Sequence, residues 1–174
     1  MLEAVRDWLA PGYLYIKAVH LFAVMAWIWS AAAAYAYFLV PIFKAWRRNP
    51  TDAEVIELRD WAIERWDQIV DYEHIAFPVV LVTGPLLYWV AGWSTASAWL
   101  ALKLLIVVGI FLPIEIIDYN MSYFGGSKRR LRLRGDRLAF ERTVQWHWLF
   151  LLLTAPIIMV FGTLVVFLAV VKPL

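Results

Sequence analysis

Four apolar runs decide what this chain can fold into. They cover about Tyr13–Phe43, His74–Gly92, Ala98–Ile117 and Trp148–Val171. Each reaches the roughly 20 residues that a helix needs to cross the hydrocarbon core of a bilayer. In lipid a backbone must satisfy its own N–H and C=O groups, so such runs become helices. Charge is confined to blocks between the runs. The expected fold is all-α: a polytopic membrane protein with four transmembrane helices in one integral domain over residues 1–174. Composition agrees, with 63% hydrophobic residues where a soluble domain holds about half.

Other features narrow the chemistry. Cysteine is absent, which excludes disulfides, iron–sulfur clusters and thiolate metal sites. The 11 Trp and 8 Tyr suit membrane-interface belts and cofactor pockets. The first run ends in small residues, "SAAAAYA", as a signal peptide does. Its leader, however, sets Glu3 and Asp7 against Arg6 alone, the wrong balance for a signal, so the run is expected to remain as a span. No nucleotide-binding glycine motif, internal repeat or Ser/His/Asp arrangement is present, and the basic charge has no accompanying nucleic-acid-binding signature.

The loops orient the spans. Lys44, Arg47, Arg48, Arg59 and Arg65 lie between the first two, and Lys128, Arg129, Arg130, Arg132, Arg134, Arg137 and Arg142 between the last two. The loop "WVAGWSTASAW" has no charge. The positive-inside rule then puts both basic loops in the cytoplasm and both termini outside, in an inner (plasma) membrane. Within the first loop, "TDAE" at Thr51–Glu54 fits a capping box. Val55, Leu58, Ala62, Trp66 and Ile69 follow at helical spacing. An amphipathic cytoplasmic helix is expected there, lying on the membrane or against a neighbour before it runs into span two. Its eight acids read as a solvated face. "GGSKRRLRLRGDR" reads as a mobile basic segment touching anionic lipid headgroups.

Ionisable residues inside a membrane are costly and mark function. Lys17 and His20 sit one turn apart in the outer third of span one. Lys103 lies about 6 Å into span three and His20 about 10 Å into span one, at 1.5 Å per residue. These two share a depth and are expected to face one pocket. A second group gathers at the inner side: His74, His147, Glu115 and Asp118, with Asp71 and Glu73 beside His74. An imidazole here also serves simply as a hydrogen-bonding group to a neighbouring helix, and Lys103 could snorkel to the interface. Three chemistries suit the set. Imidazole is the usual axial ligand of b-type haem, with His20, His74 and His147 all candidates. Lysine can pair with a tetrapyrrole propionate or move a proton. His74 and His147 with Glu115 could instead hold a divalent metal.

At this point a resemblance enters. "YLYIKAVHLFAVMAW" (Tyr13–Trp27) resembles the first helix of the HemJ-type protoporphyrinogen IX oxidases, in which Tyr-x-x-x-Lys-x-x-His is followed by Trp seven residues on. "WLALKLLIVVG" (Trp99–Gly109) is similar to the family's Trp-Leu-x-x-Lys-Leu stretch, "VVKPL" (Val170–Leu174) to its closing Val-Val-Lys-Pro-Phe, and "VTGPLLYW" (Val82–Trp89), more weakly, to its second helix. The chain departs from the pattern after Trp27, at "FLPIEIID" and at "LLTAP". The resemblance, to a divergent member, implies haem b, a tetrapyrrole substrate and oxidation of protoporphyrinogen IX to protoporphyrin IX in haem or chlorophyll biosynthesis. It implies functional roles for His20 (the haem iron ligand) and Lys103, with Lys17 and Trp27 in the cofactor pocket. Two other readings stay open. One is a non-enzymatic haem-binding or structural subunit of a larger membrane redox or photosynthetic complex, or of a homo-oligomer. The other is a metal-handling membrane protein.

Overall fold

The computed structural model describes residues 2–124 and 127–172, and the regular structure among them is helical. Helix α1 (Leu2–Leu9) runs through a 3-10 turn at Ala10–Gly12 into α2 (Tyr13–Ala34). A π-helical turn, Tyr35–Leu39, joins α2 to α3 (Val40–Arg48). Then comes α4 (Ala53–Val90), unbroken over 38 residues. The third rod is α5 (Ala98–Ile106), a π turn at Val107–Phe111, α6 (Leu112–Tyr119) and a π turn at Asn120–Phe124. A short α7 (Lys128–Leu133) leads to α8 (Arg137–Val171). Four of the resulting helices are long and apolar enough to cross a membrane.

Two of the π turns have a local cause. Proline has no N–H, and its ring clashes with the carbonyl four residues back. Pro41 and Pro113 stand just inside α3 and α6. In each case the residue before proline bonds five residues back, Val40 N–H to the Tyr35 carbonyl and Leu112 N–H to the Val107 carbonyl. The wider turn takes up the carbonyls that proline cannot serve.

Two glycines set the tight connections. Gly92 (φ +65°) and Gly135 (φ +74°) are left-handed, a region open to glycine at little cost. After α4, Gly92 N–H bonds to the Trp89 carbonyl and Trp93 N–H to that of Tyr88, the Schellman pattern. Gly135 and Asp136 repeat it on α7. Asp136 then caps α8 by accepting from Ala139 N at 3.1 Å. At the start of α4 the cap is Asp52, which accepts from Glu54 N and Val55 N at 3.0 and 3.3 Å. The capping box expected from Thr51 is replaced by this one. A carboxylate is both an acceptor and a charge matched to the positive helix end.

The rods pack antiparallel in sequence. On α2–α4 contacts, partner numbers fall on one helix as they rise on the other: His20 meets Thr83, while Leu39 and Phe43 share a core with Ala62, Ile63 and Trp66. Asp118 meets His147 and Leu100 packs with Leu168 in the same sense. One apolar cluster, around Trp27, Phe77, Trp99, Phe111 and Leu168, fills the end that holds Tyr13, Val90, Ala98 and Val171. The other, around Phe43, Ile63, Trp66, Phe140 and Leu151, fills the basic end, with Phe43 stacked on Trp148 at 4.1 Å. The buried carboxyl and imidazole groups of Glu73, Glu115, Asp118 and His147 lie between the two clusters.

The helices outrun the apolar segments. At 1.5 Å per residue α4 is about 57 Å long, nearly twice a hydrocarbon core of about 30 Å. Hydropathy stops where charge begins, but Glu, Arg, Gln and Leu are all good helix formers and carry the helix on. The segment expected as a separate amphipathic helix is the first half of α4 itself. Ala62 and Trp66 of the expected apolar face are buried, whereas Leu58 is 45% exposed. The buried face also takes Arg59, Asp60, Ile63 and Val70. Two further expectations are corrected here. The acids of this segment are not a solvated face: Asp60 and Glu73 are buried, and Glu64 and Asp67 carry ion pairs to Arg132 and Lys128. Nor is the basic segment free of the bundle. Residues 125 and 126 lie outside the described ones, but α7 folds back on α4. Arg132 grips Glu64 through two nitrogens at 2.6 and 2.9 Å, and Lys128 is fully buried. Oppositely charged surfaces that meet across helices are buried together when each charge finds a partner.

Candidate functional site

The half of the bundle that holds Tyr13 and Val171 carries a small, partly buried group on three helices. His20 of α2 stands with Nδ1 2.8 Å from Thr83 Oγ1 of α4. The Thr83 hydroxyl has one proton, and it donates that proton to the Val79 carbonyl at 2.6 Å. Toward His20 the hydroxyl can therefore only accept. This fixes the imidazole as the Nδ1–H tautomer and leaves a lone pair on Nε2, for which no hydrogen bond is found among the described residues. Gly84 keeps the ring's flank clear: a Cβ there would touch His20 Cε1 at 3.5 Å.

Lys103 of α5 is near enough to the His20 ring and to the Lys172 ammonium for their charges to act on one another. Lys172 ends α8 with φ 47° and places Nζ 4.9 Å from the Trp93 ring and 5.8 Å from the Trp99 ring. Neither ammonium has a carboxylate partner among the described residues. Lys17 does not join them. It is exposed and makes no ion pair or hydrogen bond among the described residues, so the expectation that it faces a pocket with His20 gives way to a side chain free to snorkel.

A second and denser group lies where the two apolar clusters meet. Trp27 Nε1 donates to Glu115 Oε1 at 2.6 Å, joining α2 to α6. The Trp27 ring is held by Phe77 and Phe111, with centroids at 5.1 and 5.0 Å. Glu73 and Glu115 are both buried and line one small cavity. One turn further, Asp118 sits between two imidazoles. His147 Nε2 is 2.9 Å from Oδ1, and His74 Nε2 is 3.2 Å from Oδ2, too poorly aligned for a hydrogen bond. His147 Nδ1 lies 3.9 Å from Asp67 Oδ1, which accepts from Lys128 Nζ at 2.6 Å. His74 Nδ1 approaches Tyr123 Oη at 3.4 Å, and Tyr123 donates to Asp71.

The inner group read from the sequence is therefore brought together, but its chemistry is a chain of protein–protein contacts. Among the described residues no set of His, Asp and Glu side chains could hold a metal ion. The expected metal centre of His74, His147 and Glu115 has no geometric support, because Glu115 is spent on Trp27, and His147 on Asp118. His147 is fully enclosed, in the position of an interhelical hydrogen-bonding group rather than of a haem ligand. Trp27, expected at a cofactor, serves as the donor to Glu115.

Sequence reading missed Asp67, Lys128, Tyr123 and Trp66. The signal that could have found Lys128 is the charge balance of the two inner segments, eight acids in one and a basic run in the other. Two spaces adjoin the inner group. A cavity of about 40 Å³ is lined by Trp66, Glu73, Glu115, Asp118 and Thr154, among others. An open groove of about 460 Å³ on the bundle surface is lined by His74, Phe77, Leu112, Glu115, Tyr119 and Phe124.

The described residues form an all-helical protein with four helices long and apolar enough to cross a membrane, one partly buried polar group and one buried one. No protein-family model, curated protein or solved structure matches the chain. The resemblance to the HemJ type rests on the motifs quoted above.

Proposed function

We propose that the chain is a tetrapyrrole-binding membrane protein that oxidises protoporphyrinogen IX. The observation that carries the reading is the His20–Thr83–Val79 relay of hydrogen bonds, which leaves His20 Nε2 without a hydrogen bond among the described residues, with Lys103 and Lys172 nearby and without carboxylate partners among those residues. A ligating histidine typically gives its other ring N–H to a fixed acceptor, as His20 does to Thr83. The residues thus fit haem b: His20 would hold the iron through Nε2, and Lys103 and Lys172 would pair with propionates. When bound, haem supplies a one-electron carrier in the membrane. The chain's own contribution is to orient the imidazole, to offer cations for carboxylates and, at Lys103, a group able to take a proton from the macrocycle. The 460 Å³ groove falls in the size range of small-molecule sites, but it is lined by His74 and Glu115 and not by His20 or Lys103.

The test is spectroscopic. His20→Ala removes or strongly shifts the Soret band of the purified protein and leaves its helical circular dichroism intact. A variant with wild-type haem content and spectrum overturns His20 as the ligand. A wild-type protein purified after expression with haem supplied, and lacking any Soret band, overturns the tetrapyrrole reading.

The reading carries an orientation: an inner (plasma) membrane, both basic segments in the cytoplasm, and His20 and Lys103 toward the outside. Twelve Lys and Arg lie in the two segments assigned inside and none in the loop assigned outside. The chain has no cysteine, so a single Ser94→Cys reports cleanly. It reacts with an impermeant maleimide added outside intact cells. Labelling only after the cytoplasmic side is opened reverses the orientation.

A further inference from the structure

The small cavity at the inner group has a polar wall with an unanswered donor. Trp66 is 2% exposed, it lines the cavity, and its Nε1–H has no hydrogen-bond partner among the described residues. Glu73, Glu115 and Asp118 line the same space and carry acceptor oxygens. A buried N–H left unmade costs about 1–3 kcal/mol. A cavity holds a water once it has roughly 10–15 Å³ of room and two to four polar partners. At about 40 Å³ this one has both.

The groups on either side are ordered as a relay. On one side Glu73 and Glu115 are buried on the same small cavity, where like charges out of water favour a protonated carboxyl. On the other, Asp118 accepts from His147 Nε2, and the second ring nitrogen of His147 is buried without a hydrogen bond, 3.9 Å from Asp67. Asp67 is bound to Lys128, and its side chain is 17% exposed, the first point on this path that water reaches. His74, Asp71 and Tyr123 flank the path from α4 and the turn after α6, but they lead to the groove side. A histidine with one nitrogen on each neighbour passes a proton by taking it at one and releasing it at the other.

We propose that the Trp66–Glu73–Glu115–Asp118 cavity holds water and that this water, with His147 and Asp67, forms a proton path from the basic end of the bundle to its middle: His147 takes a proton at Nδ1 from the Asp67 side and releases the Nε2 proton to Asp118. No bond other than O–H and N–H is made or broken. The path returns to its starting charge once the proton passes from Asp118 to the cavity water, and to its starting form once His147 regains the Nε2–H tautomer. The path does not depend on a tetrapyrrole. Any chemistry that takes protons at mid-bundle can use it.

Infrared spectroscopy of the protein in lipid nanodiscs tests this directly. In wild type at neutral pH, a protonated carboxyl C=O band is present and shifts after rapid mixing with D2O. Glu73→Gln and Glu115→Gln each abolish the band. Asp67→Asn and Trp66→Phe keep it but slow its shift about tenfold or more, as a barrier raised by one such step requires. Circular dichroism confirms that each variant remains helical. Absence of the band from wild type, its survival in both Gln variants, or a wild-type rate of shift in both Asp67→Asn and Trp66→Phe overturns the path. None of these readings requires turnover or haem.

Discussion

Lys128→Met is expected to destabilise the bundle by about 3–5 kcal/mol, the loss seen when one partner of a buried ion pair is removed. Lys128 has no exposed side-chain surface, and its Nζ is 2.6 Å from Asp67 Oδ1. Methionine keeps the length and apolar stem of lysine. What it removes is the charge, and Asp67 is then left in the protein with Asp118 as a neighbouring acid. The double variant Asp67→Leu with Lys128→Met should recover most of the loss, since an ion pair replaced by apolar groups of similar size is often neutral or better. Arg132→Met is the internal control. Arg132 is 46% exposed in its pair with Glu64, and a pair of that kind contributes at most about 1 kcal/mol. The measurement is reversible unfolding in detergent mixtures followed by helicity. Similar losses for Lys128→Met and Arg132→Met, or no recovery in the double variant, would show that the Lys128 pair is not the element that holds α7 to α4.

How far the sequence disclosed this molecule depends on the depth at which one looks. The four spans were legible because lipid leaves a backbone one option and hydropathy marks where it applies. The shared depth of His20 and Lys103 followed from counting rise per residue, and the pairing of carboxylates with imidazoles at the inner level followed in the same way. Their partners were not legible. That Thr83 would meet His20, or Trp66 would turn an unpaired N–H into a cavity, depends on the rotation of each helix about its own axis. In a span that is apolar all round, periodicity does not reveal that rotation. The charged half of α4 misled for a different reason. An acidic run alone reads as a solvated face, and only the basic α7, 61 residues away at Lys128–Asp67, makes it an interior. The departure at "FLPIEIID" can now be placed: Glu115 and Asp118 within it are the hub of the inner group. The chain differs from the HemJ pattern at the position where its buried carboxyls meet.

Lys103→Arg is expected to lower protoporphyrinogen oxidation by about 10²-fold or more, in the range of a lost general acid–base step. Lys103 lies near the His20 imidazole and a second ammonium, and no carboxylate among the described residues pairs with it. A lysine so situated can give up its proton and then take one from the macrocycle. Arginine retains the charge, the reach and the capacity to bind a propionate, but it cannot be deprotonated in a protein. The substitution therefore separates anchoring from proton transfer. Binding of protoporphyrin, followed by tryptophan quenching, should remain within a few-fold of wild type. The rise in protoporphyrin fluorescence from anaerobically prepared protoporphyrinogen, in membranes with a competent electron acceptor, should fall. Lys103→Met completes the comparison by losing binding as well, since it has no charge for a carboxylate. If Lys103→Arg turns over as fast as wild type, Lys103 acts only as an anchor, and the proton must leave by another group. Glu115 is then the next to examine, because it lines the open groove and also touches the cavity that leads toward Asp67.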